Sequence, residues 1–206
     1  MSDSRRAHWQ SVYDSKDPKE VSWYQPVPER SLQLIREIGV PKNDPVLDVG
    51  GGASTLVDNL LQEGYSDISV LDISGNALDR SRARLGKSAD AVDWIEADVT
   101  TFVPPRQYTL WHDRAVFHFL TDPADRNDYI DVATRAITSN GYLVLATFGP
   151  EGPQRCSGLE IRRYSVQRLQ DLFGDHFHLG GHHLEDHRTP MGSIQQFLYS
   201  WWQARS

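Results

Sequence analysis

Among 206 residues there is a single cysteine, Cys156, so no disulfide can form within the chain and nothing in it asks for an oxidising compartment. No stretch of about 18 apolar residues occurs, and a bilayer-spanning helix is not expected. The opening Met1-Ser2-Asp3-Ser4-Arg5-Arg6 leads into His8, Trp9 and Gln10 without the apolar core of a signal peptide, which points to the cytoplasm. Long runs of Lys or Arg are missing as well. Against 28 Asp and Glu stand 21 Lys and Arg, a formal net charge of −7, the opposite of what a phosphate-backbone binder carries. Nucleic acid is therefore not expected as a partner. Repeats and low-complexity tracts are also absent. The breaks at Pro26, Pro28, Pro104-Pro105 and Gly149 to Gly158 look like turns and loops, not linkers.

What remains is 39% hydrophobic and 24% charged, a balance that suits one globular domain over residues 1–206. Short apolar runs alternate with helical patterns. Val46 to Val49 predicts a strand running into glycines, Ala53 to Gly64 a helix with Leu56, Leu60 and Leu61 on one face, and Ile68 to Ile73 a second strand. A helix over Ala77 to Leu85 and strands at Val92 to Ile95 and Tyr108 to His112 follow. A helix from Pro123 to Ile137 then leads to a strand at Tyr142 to Phe148, apolar enough for burial on both faces. This rhythm predicts a parallel sheet with right-handed crossovers. Beyond it, Ser165 can cap a helix over Val166 to Phe173. Strands near Phe177 to Leu184 and Ile194 to Trp202 then form an antiparallel edge hairpin, separated by Asp186 to Gly192.

Val46-Leu47-Asp48-Val49-Gly50-Gly51-Gly52-Ala53-Ser54 carries the most chemistry, because a strand ending in glycines lets backbone approach a ligand where a Cβ would not fit. A plain tight turn is the competing reading. Asp72 closes the next strand 24 positions after Asp48, about the spacing of a ribose-binding acid, with Ile73 beside it; a helix cap is the alternative. After the third strand, Asp98 can accept from an adenine amino group while the Val99 N–H serves a ring nitrogen, or it is a solvated turn aspartate.

These residues resemble the class I S-adenosylmethionine-dependent methyltransferases, over nearly the whole chain. Val46 to Gly52 is similar to the first family motif, Asp72 to the acidic second and Asp98 to the third; Ser54 departs from the pattern at the third glycine position. The resemblance implies a Rossmann-like α/β fold: a doubly wound, seven-stranded, mostly parallel sheet with helices on both faces and an antiparallel C-terminal hairpin. It also implies S-adenosyl-L-methionine as cofactor, with Asp48, Gly50, Gly51 and Gly52 at its methionine part. His8, Trp9, Tyr13 and Val21-Ser22-Trp23-Tyr24-Gln25 resemble a cofactor lid within residues 1–28, with Trp23 against the cofactor; packing of a helix onto the sheet is the other reading.

His112-Asp113-Arg114-Ala115 resembles an Asp-Arg-Gly or Asp-Lys-Gly element of thiopurine-type and some lysine methyltransferases. That likeness implies His112 and Asp113 backbone near the methionine amino group and Arg114 near the acceptor, where an ion pair is the plainer reading. His118 is a candidate general base or a packed core histidine. The long loop after the fifth strand holds Cys156, a structural or pocket-lining thiol, since methyl transfer is a direct displacement. His176, His178, His182, His183 and His187 lack the spacing of a metal site, and no metal is expected; His187 at the hairpin tip is a candidate for the acceptor pocket. The expected activity is methyl transfer to a small-molecule acceptor. A protein lysine acceptor is the alternative, as is cofactor binding without catalysis. A nicotinamide-dependent oxidoreductase is disfavoured because Thr55 stands where its third glycine would fall.

Overall fold

The computed structural model describes residues 2–15 and 21–206. Residues 1 and 16–20 of the expected lid lie outside the described residues. The chain runs α1 (Ser2–Ser15), α2 (Glu29–Ile38), β1 (Val46–Val49), α3 (Leu56–Gln62), β2 (Ile68–Asp72), α4 (Gly75–Leu85), β3 (Val92–Glu96), β4 (Tyr108–Arg114), α5 (Pro123–Ala136), β5 (Ile137–Phe148), β6 (Arg155–Cys156), β7 (Leu159–Glu160), α6 (Val166–Phe173), β8 (Phe177–Arg188) and β9 (Ile194–Ala204). Seven strands form one sheet in the order β3-β2-β1-β4-β5-β9-β8. The first five are parallel, and β9 and β8 add to β5 antiparallel.

Local chemistry explains the element ends. The Ser74 hydroxyl accepts from the Ala77 N–H at the start of α4, and Ser165 does the same for Arg168 at the start of α6. Asp122 caps α5, with Pro123 at the first helical position, where a missing N–H costs nothing. Gly39 ends α2 in the left-handed region at φ 77°, its N–H reaching the Ile35 carbonyl. Both faces of β1 and β2 are buried, in keeping with the Val, Leu and Ile that make up most of each strand. One core packs Trp111, Tyr129, Phe173 and Trp202 on the α5–α6 side of the sheet; the other packs Leu32, Val57, Leu60 and Phe148 on the α2–α3 side.

Three expectations change in detail. Helix α3 starts at Leu56 rather than Ala53, because the non-helical turn continues through Thr55 and the Ser54 side chain accepts from the Leu56 N–H. The loop expected across Asp186 to Gly192 is mostly strand, since β8 runs on to Arg188; the reversal is confined to residues 189–193, closed by the Ser193 N–H on Thr189 Oγ1 at 3.1 Å. The loop after β5 contains a two-stranded ribbon, β6–β7, turned through Ser157 and Gly158 at φ 49° and 80°, the pair of positive values a tight hairpin prefers.

Candidate cofactor and acceptor site

Strands β1, β2, β3 and β4 end at one edge of the sheet, with Asp48 paired in register with His112 and Val70. The glycine turn begins with Gly50 at φ 69°, its N–H donating to the Leu71 carbonyl at 2.7 Å. A Cβ on Gly50 would overlap Val116, and one on Gly51 would overlap the Asp48 carboxylate. A pocket opens above this turn, lined by Asp48, Gly50, Gly51, Asp72, Ile73 and His112 along its strand-end wall.

The carboxylates of that wall differ in surroundings. Asp72 accepts from the Ser74 N–H at 2.8 Å and the Gly52 N–H at 3.0 Å. Burial is the largest influence on it and raises its pKa to about 6; the backbone donors oppose this, and the charge of Asp48 adds to it. Asp98 accepts from the Thr100 N–H and hydroxyl at 3.0 and 2.8 Å, and the Arg5 guanidinium of α1 lies between it and Asp125, at 3.5 and 3.2 Å. Asp98 and Val99 also line the pocket. Asp48 Oδ1 meets His112 Nδ1 at 2.7 Å, and His112 Nε2 meets the Ser31 hydroxyl at 2.9 Å. Nothing in the sequence marks Ser31: a lone serine in the first turn of a helix has no motif around it.

Strand alternation sorts the next residues. His112 and Arg114 share a face and line the pocket, while Asp113 turns into the core between them. There it accepts from the Tyr129 hydroxyl at 2.6 Å and from the Val116 and Phe117 N–H groups at 2.9 and 3.1 Å, and burial lifts its pKa to about 6. Its side chain is therefore a fold anchor under the site. Arg114 donates from Nε to the Tyr199 hydroxyl and from Nη1 to the Trp23 carbonyl, at 2.9 and 2.8 Å, over the Phe197 ring. Its Nη2 is buried without a partner among the described residues, so the ion pair considered for Arg114 does not form.

His118 must be corrected. It does not line the pocket; it is fully buried against Phe119 and Phe148, and its Nδ1 accepts from the Phe148 N–H. Burial, and secondarily the charge of Arg114, pushes its pKa down to about 3, so it has neither the reach nor the basicity expected of a general base. Gly52 is also set back from the pocket, with its N–H on Asp72 and Ala77 against its Cα. Cys156 packs in the α2–α3 core and does not line the pocket either.

The opposite wall comes from the amino-terminal segment. Trp9, Tyr13, Trp23 and Tyr24 lie over the pocket; Trp9 meets Trp23 and Phe119 edge-on, at 5.9 and 4.9 Å between centroids. Thr55 donates to the Gln25 carbonyl at 2.8 Å, and His187 Nε2 reaches the Ser22 carbonyl at 2.8 Å. With the Arg114 bond to Trp23, these contacts tie residues 21–25 to three separate elements.

A methyltransferase-domain family model matches residues 47–143, which hold the glycine turn, Asp72, Asp98 and the β4 exit. The match is to a methyltransferase domain and takes in just under half of the chain. The chain is similar to EEF1A lysine methyltransferase 2 of Mus musculus, 22% identical over 69% of this chain and 64% of that protein. It is also similar to nodulation protein S of Rhizobium tropici, 27% identical over 53% of this chain and 45% of that protein. The chain thus spans between about half and two thirds of the length of these relatives. In fold it matches the N-methyltransferase NodS from Bradyrhizobium japonicum solved with S-adenosylhomocysteine. The TM-score is 0.75 and the identity 15%, over 98% of this chain and 99% of that one. S-adenosylhomocysteine, bound in that neighbour, is what S-adenosylmethionine becomes on losing its methyl group, and the pocket here fits a cofactor of this kind. The glycine cradle has no room for a Cβ, three strand ends present carboxylates, and one oxygen of Asp48 and one nitrogen of Arg114 are buried without partners among the described residues.

Proposed function

We propose that this chain is an S-adenosylmethionine-dependent methyltransferase acting on a small-molecule acceptor. One observation carries the choice of acceptor: Trp9, Tyr13, Trp23 and Tyr24 cover the pocket, and residues 21–25 are bonded down by Arg114, Thr55 and His187, leaving room for a compact molecule rather than a docked chain. In this reading Asp72, with Ile73, receives the ribose hydroxyls, Asp98 and Val99 the adenine, and Asp48, Gly50, Gly51 and His112 the methionine part. When bound, the cofactor supplies an electrophilic methyl group on a sulfonium.

The rest is done by the protein. The cradle fixes the donor, the lid of residues 1–28 excludes water, and Trp23 closes on the cofactor side. Arg114 faces the acceptor and orients it, and alignment of this kind supplies up to about 7 to 11 kcal/mol in well-organised systems. With His118 buried and neutral, the acceptor is one that needs no deprotonation by a histidine at that place. The single-domain organisation, a cytoplasmic setting and the lack of a nucleic-acid partner are supported by the composition and the −7 net charge. A protein lysine acceptor is the second reading, favoured by the likeness to the mouse lysine methyltransferase. Incubation of the protein with methyl-labelled cofactor and a cell extract separates them: label in the small-molecule fraction supports the first, and label only in protein overturns it.

A further inference from the structure

The chain Ser31–His112–Asp48 is the most completely enclosed polar network of the pocket. Its residues are 0%, 2% and 2% exposed, and all three line the cavity although they come from α2, β4 and β1. Its proton positions follow from chemistry. A carboxylate accepts, so His112 Nδ1 donates to Asp48 Oδ1; the imidazole then presents Nε2 as an acceptor, which the Ser31 hydroxyl fills. Asp48 thereby sets the tautomer, Ser31 holds the ring from its other side, and the ring so placed holds Asp48 by one oxygen. The other oxygen, Oδ2, is buried with no partner among the described residues and lies against Gly51, in the floor of the cradle.

An unpartnered carboxylate oxygen in such a place is costly unless a ligand meets it. Asp72 lies close enough for its acidity to be affected by Asp48, so two buried carboxylates share the floor. The cations of the pocket are engaged elsewhere: Arg5 lies between Asp98 and Asp125, and Arg114 holds Tyr199 and Trp23. The floor therefore calls for a positive charge from the ligand.

We propose that Ser31 and His112 are positioning residues that hold Asp48 with its second oxygen aimed at the α-ammonium of the cofactor's amino-acid tail. The proposal rests on the function argued above. It concerns binding of the tail alone, since the adenosine end is held by other residues.

The test is calorimetry with two ligands, S-adenosylhomocysteine, which carries the tail, and 5′-methylthioadenosine, which lacks it. Ser31→Ala should weaken S-adenosylhomocysteine about tenfold, His112→Phe more, and both should leave 5′-methylthioadenosine within about twofold of wild type. His112→Asn, whose amide can still donate to Asp48, should recover most of the loss. Equal losses for both ligands, no loss for either, or equal wild-type affinity for the two ligands would each overturn the proposal. Wild-type protein that binds neither ligand would instead refute the methyltransferase reading itself. Nitrogen-15 spectra of His112 give a readout independent of any ligand: the Nδ1-protonated tautomer in wild type, with the Nε2 resonance moved in Ser31→Ala as its hydrogen bond is lost, is expected. An Nε2 resonance unchanged in Ser31→Ala removes Ser31 from its role.

Discussion

The two walls of the pocket are built in opposite ways. The strand-end wall uses residues that follow one another closely, Asp48 to Asp98, each at the end of a parallel strand and each placed by the element it terminates. The covering wall is assembled from far apart: Arg114 holds Trp23 across 91 positions, and His187 holds Ser22 across 165. The first kind of wall is rigid and can be read from spacing. The second exists only once the chain has folded, and depends on bonds to backbone that any residue at those positions would offer.

The largest expected effect is on the rigid wall. Gly50→Val should abolish S-adenosylhomocysteine binding, and it should also destabilise the fold. The added side chain overlaps Val116 within the protein itself, on a backbone at φ 69° that β-branched residues avoid. Calorimetry and a thermal melt read the two losses, and a variant that binds normally would break the assignment of the cradle.

Asp72→Ala comes next, with an expected loss of about 1.5 to 3 kcal/mol of binding free energy, the range for hydrogen bonds to a charged group. Its acidity gives a second handle. Because its pKa is raised from 3.8 to about 6 in the folded protein, the ionised form carries a cost that is fully present above pH 6 and relieved as pH falls toward 4. Asp113 behaves alike. The ligand-free protein should therefore gain stability from these groups between pH 7 and pH 5. Ribose hydroxyls favour the ionised carboxylate, so affinity should move the other way, falling about tenfold per unit below pH 6. Melting temperature and calorimetry across that range check both signs; affinity that does not vary with pH would remove Asp72 from the ribose.

On the covering wall, Arg114→Met should have a smaller effect on cofactor binding, about threefold to tenfold, as the guanidinium's bonds to the Tyr199 hydroxyl and the Trp23 carbonyl are lost away from the cofactor itself. It should also speed amide exchange in residues 21–25, which hydrogen-exchange mass spectrometry would detect. Unchanged exchange would show that the covering wall holds without Arg114. The smallest effect is expected at Ala115, which leaves β4 at φ 74°, a left-handed conformation costing a non-glycine residue about 1 to 2 kcal/mol. Ala115→Gly should raise stability by up to about 1 kcal/mol after the entropy cost of glycine, measured by denaturant unfolding.

This contrast also explains what the sequence disclosed. The parallel strands, the Ser165 cap and the strand-end acids were legible because each depends on a short local pattern: an apolar run, a Ser before a helix, an Asp at the end of a strand. Ser31 was not, because its role comes from His112, 81 positions away. Sequence could not choose between the two readings of His118, because it shows a titratable ring but not how the Phe119 and Phe148 rings enclose it. Nor could the β6–β7 ribbon be foreseen, since two-residue strands are too short to carry a period. Tyr199, which orients Arg114, was hidden inside an apolar strand.

Arg5 reaches from α1 to Asp98 and Asp125, so one long side chain joins the amino-terminal helix to the ends of β3 and the start of α5. It is 23% exposed, within reach of solvent ions, whereas Asp72 on the floor is shielded from them. The residence time of a bound nucleoside should therefore shorten as salt rises from about 0.05 to 0.5 M, while the part of the affinity that comes from the floor stays constant. Stopped-flow release measured in wild type and in Arg5→Gln should converge at the high-salt end, leaving the buried carboxylates to set the rate that remains.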